Sequence, residues 1–112
     1  MIAGFIVNGT GSQKVVINVA GPSLNQFGLA GLANPTLTLV RSSDQSVIAT
    51  NDNWQAQTNP GDVALIQATG FQPNNTLEPA IIATLPPGAY TAIVSGVGNT
   101  TGVGLVGVFV AP

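Results

Sequence analysis

The chain has 112 residues, enough for one domain with one hydrophobic core. Its charge is sparse: Lys14 and Arg41 stand against Asp44, Asp52, Asp62 and Glu78, for a net charge of −2 and 5% charged residues. Two isolated cations cannot neutralise the several phosphates that nucleic-acid binding requires, and they cannot hold the chain on an anionic membrane surface either.

The absence of Cys and His removes thiol nucleophiles, imidazole bases, disulfides and the usual zinc sites, and most enzyme mechanisms with them. Disorder is excluded from the other side, because 45% of residues are hydrophobic, with 13 Val, 8 Ile and 9 Leu. Thr, Asn, Gln and Ser, 34 residues together, must supply the polar coat. No apolar run reaches the length of a transmembrane helix, so no membrane insertion is expected. The start Met1-Ile2-Ala3-Gly4 lacks the charged region of a signal peptide, which points to a removed export signal or to a piece of a longer chain.

Short β-branched runs separated by Gly, Pro, Asn and Ser predict an all-β fold, an antiparallel β-sandwich of jelly-roll-like type with about seven to nine strands, in one domain over residues 1–112. The first strand is expected over 2–7, closed by Asn8-Gly9-Thr10-Gly11, with 14–20 as its hairpin partner. In that partner Val15, Ile17 and Val19 share one face and Val16, Asn18 and Ala20 the other. Residues 24–35 read as a long connection dropping Phe27, Leu29 and Leu32 onto the core. Residues 36–41 and 46–50 form a second hairpin around Ser42-Ser43-Asp44-Gln45. A short helix is expected near 60–69, with Asn59 as N-cap, Pro60 at its first position, Asp62 in its first turn and Gly70 as its stop. Strands at 80–85 and 89–95 are joined by Pro86-Pro87-Gly88, and a last strand covers 102–110. The first and last strands are apolar on both faces, so each needs cover on two sides.

Thr36-Leu37-Thr38-Leu39, the run from Val47-Ile48-Ala49-Thr50 to Asn51-Asp52-Asn53-Trp54, and Ala83-Thr84-Leu85-Pro86-Pro87-Gly88-Ala89-Tyr90 with Thr91-Ala92-Ile93-Val94 together resemble the bacterial pre-peptidase C-terminal type of β-sandwich domain. Gly4-Phe5-Ile6-Val7, Gly21-Pro22-Ser23-Leu24 and Gly102-Val103 extend the resemblance to uncharacterised secreted modules of that shape. It implies a non-catalytic, extracellular or cell-surface domain. Some modules of that class bind calcium or extracellular polymers, but the acidic residues here are too sparse for a D-x-D-x-D-G loop, so no metal and no other cofactor is expected.

Asn51-Asp52-Asn53-Trp54 is the most distinctive stretch. It reads either as a cation or sugar site with Trp54 as a stacking platform, or as a turn whose Trp54 plugs the core. Asp52, Asp62 and Glu78 carry too little pattern for a carboxylate pair, and Tyr90 is expected to pack with its hydroxyl at an edge. Gly9-Thr10-Gly11 and Gly102-Val103-Gly104 lack the strand-to-helix setting of phosphate loops, and the triplets at Asn8, Asn74 and Asn99 match the glycosylation pattern as an Asn- and Thr-rich chain does by chance.

The mean hydropathy of +0.41 with Lys14 as the only Lys leaves strand edges poorly guarded. The expectation is therefore a non-enzymatic structural protein that self-assembles into a filament, pilus-like fibre or surface layer. Its interface is expected at Ile2, Phe5, Ile6, Val7, Val106, Val108, Phe109 and Val110. The alternative is a secreted polymer- or carbohydrate-binding module centred on Asn51, Asp52, Asn53 and Trp54.

Overall fold

A computed structural model describes residues 2–99 and 102–110. Thr100 and Thr101 of the third glycosylation-type triplet, and both chain ends, lie outside the described residues. Among the described residues seven strands form: β1 (Ile2–Val7), β2 (Gln13–Ala20), β3 (Pro35–Arg41), β4 (Ser46–Asn51), β5 (Ala80–Leu85), β6 (Gly88–Gly96) and β7 (Leu105–Val110). One α-helix, α1 (Gly61–Thr69), lies between β4 and β5, and a 3-10 turn (Pro22–Phe27) follows β2.

The strands make two antiparallel sheets, ordered β1-β6-β3-β4 and β5-β2-β7, and the fold is an all-β sandwich. The core between them is built from alternate residues of each strand: Val15, Ile17 and Val19 of β2 and Ile81 and Leu85 of β5 meet Leu37 and Leu39 of β3 and Tyr90, Ala92 and Val94 of β6.

The expected pairing of β1 with the strand after it is overturned. β1 pairs with β6, from Ile2 opposite Ile93 to Val7 opposite Gly88, whereas β2 lies in the other sheet between β5 and β7. Residues 8–12 therefore arch between sheets instead of closing a two-strand turn. The β3–β4 hairpin forms as expected, and it is the one pair of sequence neighbours that bond to each other among the described strands. In its turn Asp44 accepts hydrogen bonds from the Ser46 hydroxyl and N–H, which hold its carboxyl below the usual range. That contribution is present above the ordinary carboxylate pKa and is lost as the pH falls through the lowered one. The Arg41–Asp44 contact, 3.9 Å and exposed at both ends, adds little.

The second sheet is covered on its outer face as well. Trp54 and Ile66 form a second apolar cluster with Ala80, joined by Val63 and Ile82, and Phe71 stacks on Phe109 at 4.3 Å. Gly107 permits that stack, because a Cβ there would sit 2.6 Å from the Phe109 ring and from Asn18 Oδ1. The helix begins one residue later than expected, with the Asn59 side chain accepting the Gly61 N–H, and Gly70 ends it in the left-handed conformation. Of the three side chains expected to drop from the 24–35 connection onto the core, Leu32 is buried and Phe27 and Leu29 are exposed; Leu24 is buried instead. The last strand is shorter than expected: Val103 makes only an isolated bridge to Gly31, and the regular ladder starts at Leu105.

Two buried polar groups fix the connections. Glu78 is fully buried. Its Oε2 accepts the Gly21 N–H and both the N–H and hydroxyl of Ser23, and its Oε1 accepts the Asn75 N–H. A desolvated carboxylate is tolerable only with such a full set of donors. Where the chain crosses from β5 to β6, the buried Tyr90 hydroxyl donates to Pro86 O four residues back, tying the corner. Replacing Tyr90 with Phe removes that bond and is expected to cost about 0.5–1.5 kcal/mol, read as a lower urea midpoint with an unchanged slope.

Candidate functional site: an open strand edge and a polar cleft

Each sheet ends in two edge strands, and the two sides of the sandwich treat them differently. On one side β4 and β5 lie next to each other, and the connection between them supplies their missing partners. Asn51 Oδ1 accepts the Ala80 N–H at 3.1 Å, and Gln57 Nε2 donates to Ala80 O at 3.0 Å and to Trp54 O at 2.8 Å. The Trp54 N–H donates to Glu78 O, and α1 packs beside β5. Side-chain amides thus do at Ala80 what a further strand would do, while a cleft of about 200 Å³ lies between the rest of the two strands, bordered by Ile48, Thr50, Ile81 and Ile82.

On the other side the edges are β1 and β7, and among the described residues β1 bonds only to β6 and β7 only to β2. Neither strand carries a charge or a Pro, the residues that ordinarily blunt an edge. Between them runs an apolar trough of about 230 Å³, lined by Phe5 and Val7 of β1, Val15 of β2 and Val108 and Val110 of β7, with Asn8 and Gln13 at one end. Val108 and Val110 share the inward face with Val106, since they lie opposite Ile17, Val15 and Val19. They stay exposed, Val110 at 66%, because β1 does not reach over them.

The residues expected at an assembly interface therefore divide. Ile2 and Ile6 point outward from the first sheet, 70% and 69% exposed, and Val108 and Val110 open into the trough. Phe5 is half-buried and stacks on Tyr90 at 5.6 Å, Val106 packs against the core, and Val7 is buried. Phe109, half-buried under Phe71, has its cover from within the chain, which answers part of the two-sided apolar pattern internally.

The expected ligand residues also divide. Trp54 is only 6% exposed and packs on Ile66 and Ala80, so it presents no ring face to a sugar; the reading as a core plug is the one the geometry fits. Among the described residues its Nε1 has no hydrogen-bond partner. Asn53 is spent on the Gln55 N–H and Asn51 on Ala80 N–H and Ala56 O. Asn51 and the exposed Asp52 nonetheless border a cleft of about 340 Å³ whose other walls include Thr36, Thr38 and Thr50. Those threonines stand on neighbouring strands, with Thr38 directly opposite Thr50. No sequence motif marked this cleft, because it depends on β3 and β4 lying side by side.

The remaining carboxylates do not join it. Asp62 borders a separate cleft with Gln57 and Ile82, and Glu78 is committed to Gly21, Ser23 and Asn75. Among the described residues no three acidic groups gather, and no helix is long and apolar enough to cross a membrane.

No protein-family model matches the chain, and neither a curated protein nor a solved structure matches it. The pre-peptidase resemblance thus rests on the residues that carry it. Because Trp54 is core, Trp54→Ala is expected to destabilise the fold by about 3–5 kcal/mol in urea titration, in place of a selective loss of ligand binding.

Proposed function

We propose that this chain is a non-catalytic, extracellular structural protein that self-assembles through the β1/β7 side of its sandwich. The observation that carries the reading is the contrast between the two sides: amide side chains bond the start of β5 at Ala80, α1 packs beside it, and Gln57, Asn59 and Asp62 border the cleft between β4 and β5, while β1 and β7 flank a trough walled by Phe5, Val7, Val15, Val108 and Val110.

Magnitudes favour association by both backbone and side chain. A strand added along β1 or β7 gains about 0.5–1.5 kcal/mol per hydrogen bond, and association costs on the order of 4–15 kcal/mol. Backbone pairing alone therefore comes close to breaking even. Burying Ile2, Ile6, Val108 and Val110, at about 1.5–3 kcal/mol for each side chain fully covered, turns the balance toward assembly. The charge-poor surface offers little repulsion against it. An extracellular setting, as a fibre, filament or surface layer, comes with the pre-peptidase resemblance.

A second reading, an accessory module for a polyhydroxylated polymer, is favoured by the Thr36, Thr38, Thr50 and Asp52 cleft, whose hydroxyls and carboxylate match sugar hydroxyls. It lacks an aromatic platform. Replacing Asp52 with Ala would then weaken polysaccharide pull-down about tenfold without changing sedimentation.

The assembly reading is tested by sedimentation and electron microscopy of the wild-type chain beside Val110→Lys and Val47→Lys. Both valines are exposed, but Val47 lies on β4, away from the trough. Regular assemblies of wild type and Val47→Lys, with Val110→Lys held as a monomer, are expected. A monomeric wild type, or assemblies indifferent to the ammonium at 110, would overturn the reading.

A further inference from the structure

We propose that β1 is an exchanged strand: in the assembled state Ile2–Val7 leaves its own β6 and pairs with β6 of a second copy of this chain. The inference rests on the assembly reading above and specifies its mechanism.

The two terminal strands are both largely exposed, with Val7 the one buried residue of β1 and none in β7, and they differ in how they are tied. β7 is fixed on several sides: it pairs with β2, Phe109 is stacked under Phe71, and its approach is tied by the Val103 N–H to Ala30 O at 2.8 Å and the Leu32 N–H to Val103 O at 2.9 Å. β1 has one neighbour, β6. Only Val7 is buried, Phe5 is held on one side by Tyr90, and Ile2, Gly4 and Ile6 face outward and are exposed.

The link to β2 is built as a hinge. Residues 8–12 are all exposed, hold Gly9 at φ 101 and Gly11 with no atom near its Cβ position, and make no hydrogen bond to the rest of the described chain. Because they already cross from one sheet to the other, swinging them outward breaks no ladder of their own.

Exchange also selects its own partner. A second copy's β1 brings the same six residues to β6, so each hydrogen bond and the Phe5–Tyr90 stack re-form in the same register. The β1–β6 contacts are then the same in the closed and exchanged forms, so the swap itself costs little, and what favours the exchanged form is the burial of Ile2, Ile6, Val108 and Val110 where the two copies meet. A foreign strand would have to match the inward Ala3, Phe5 and Val7 against Ala92, Tyr90 and Gly88 without that identity.

The test uses two single-cysteine chains, which the cysteine-free sequence makes unambiguous. Gly4 lies opposite Thr91, and a Cβ at Gly4 meets nothing closer than 3.9 Å. Residues directly opposite each other on antiparallel strands have Cα atoms about 4.5–5.5 Å apart, a spacing that suits a disulfide. Gly4→Cys and a size-tagged Thr91→Cys are mixed unfolded, refolded together under reduction, assembled, oxidised and run on a denaturing gel without reductant. Exchange predicts a mixed disulfide dimer of one tagged and one untagged chain; the pair Ile2→Cys with Ile93→Cys, in the same register, repeats the reading should either first variant fail to fold. Assembly of the wild type with no mixed dimer, or with only untagged homodimers from neighbouring β1 edges, would overturn exchange and leave edge pairing in place. A wild-type chain that stays monomeric would remove both.

Discussion

The constraint on which the structure turns is that β2 must be dry on both faces. Val15, Val16 and Ile17 are consecutive and all buried, so the sheet that contains them cannot be an ordinary half-solvated layer. The facing sheet covers Val15 and Ile17. The other face needs a second cover, and the long connection from β4 to β5 provides it with Trp54, Ile66 and Phe71. That connection must leave β4, cross the end of the sandwich and return to β5. On the way it brings Asn51 and Gln57 to the backbone of Ala80. Covering β2 and guarding the β4/β5 edge are thus one piece of folding, and the chain has no second connection of that length to treat β1 and β7 alike. The asymmetry of the two sides follows from where the polypeptide is long.

Much of this was legible in the sequence and some was not, for identifiable reasons. Strand positions follow from β-branched runs between turn residues, and the helix from Asn59, Pro60, Asp62 and Gly70, all of which act locally. Pairing does not follow, because Asn8-Gly9-Thr10-Gly11 has the composition of a tight hairpin and yet arches between sheets. Composition permits positive φ at Gly9 in either case; what decides is that β6 offers β1 a place beside Tyr90 and Ala92, eighty-odd residues on. The two-sided apolar pattern of the ends was visible. Its resolution was only half external, since Phe109 finds Phe71 within the chain, a contact with no local signature.

The same limit applies to the sites. Trp54 beside three polar residues has the composition of a ligand platform, but a lone Trp in a chain this short is also the largest filler available for a second apolar layer, and packing took it. Glu78 gave no sign of its role, as its four donors come from Gly21, Ser23 and Asn75, and two of those residues lie more than fifty positions away. The polar cleft of Thr36, Thr38 and Thr50 needs strand pairing before it exists.

The apolar trough on the β1/β7 flank of the sandwich also bears on what kind of assembly can form. If two copies met by pairing β1 with β1, the contact would be isologous, each edge would be used once, and association would stop at a dimer unless β7 began a second contact. Exchange has no such limit. A chain that gives its β1 to one neighbour and accepts β1 from another uses two different surfaces, the donated strand and the vacated edge of β6, and a heterologous contact of that kind either closes a ring or continues as a fibre. Residues 8–12 set which outcome is reached, because the angle at which they carry β1 away fixes the rotation from one copy to the next. The donated strand rebuilds the trough as it stands in the closed chain, so Val108 and Val110 gain their cover from the body of the neighbouring copy beyond that strand.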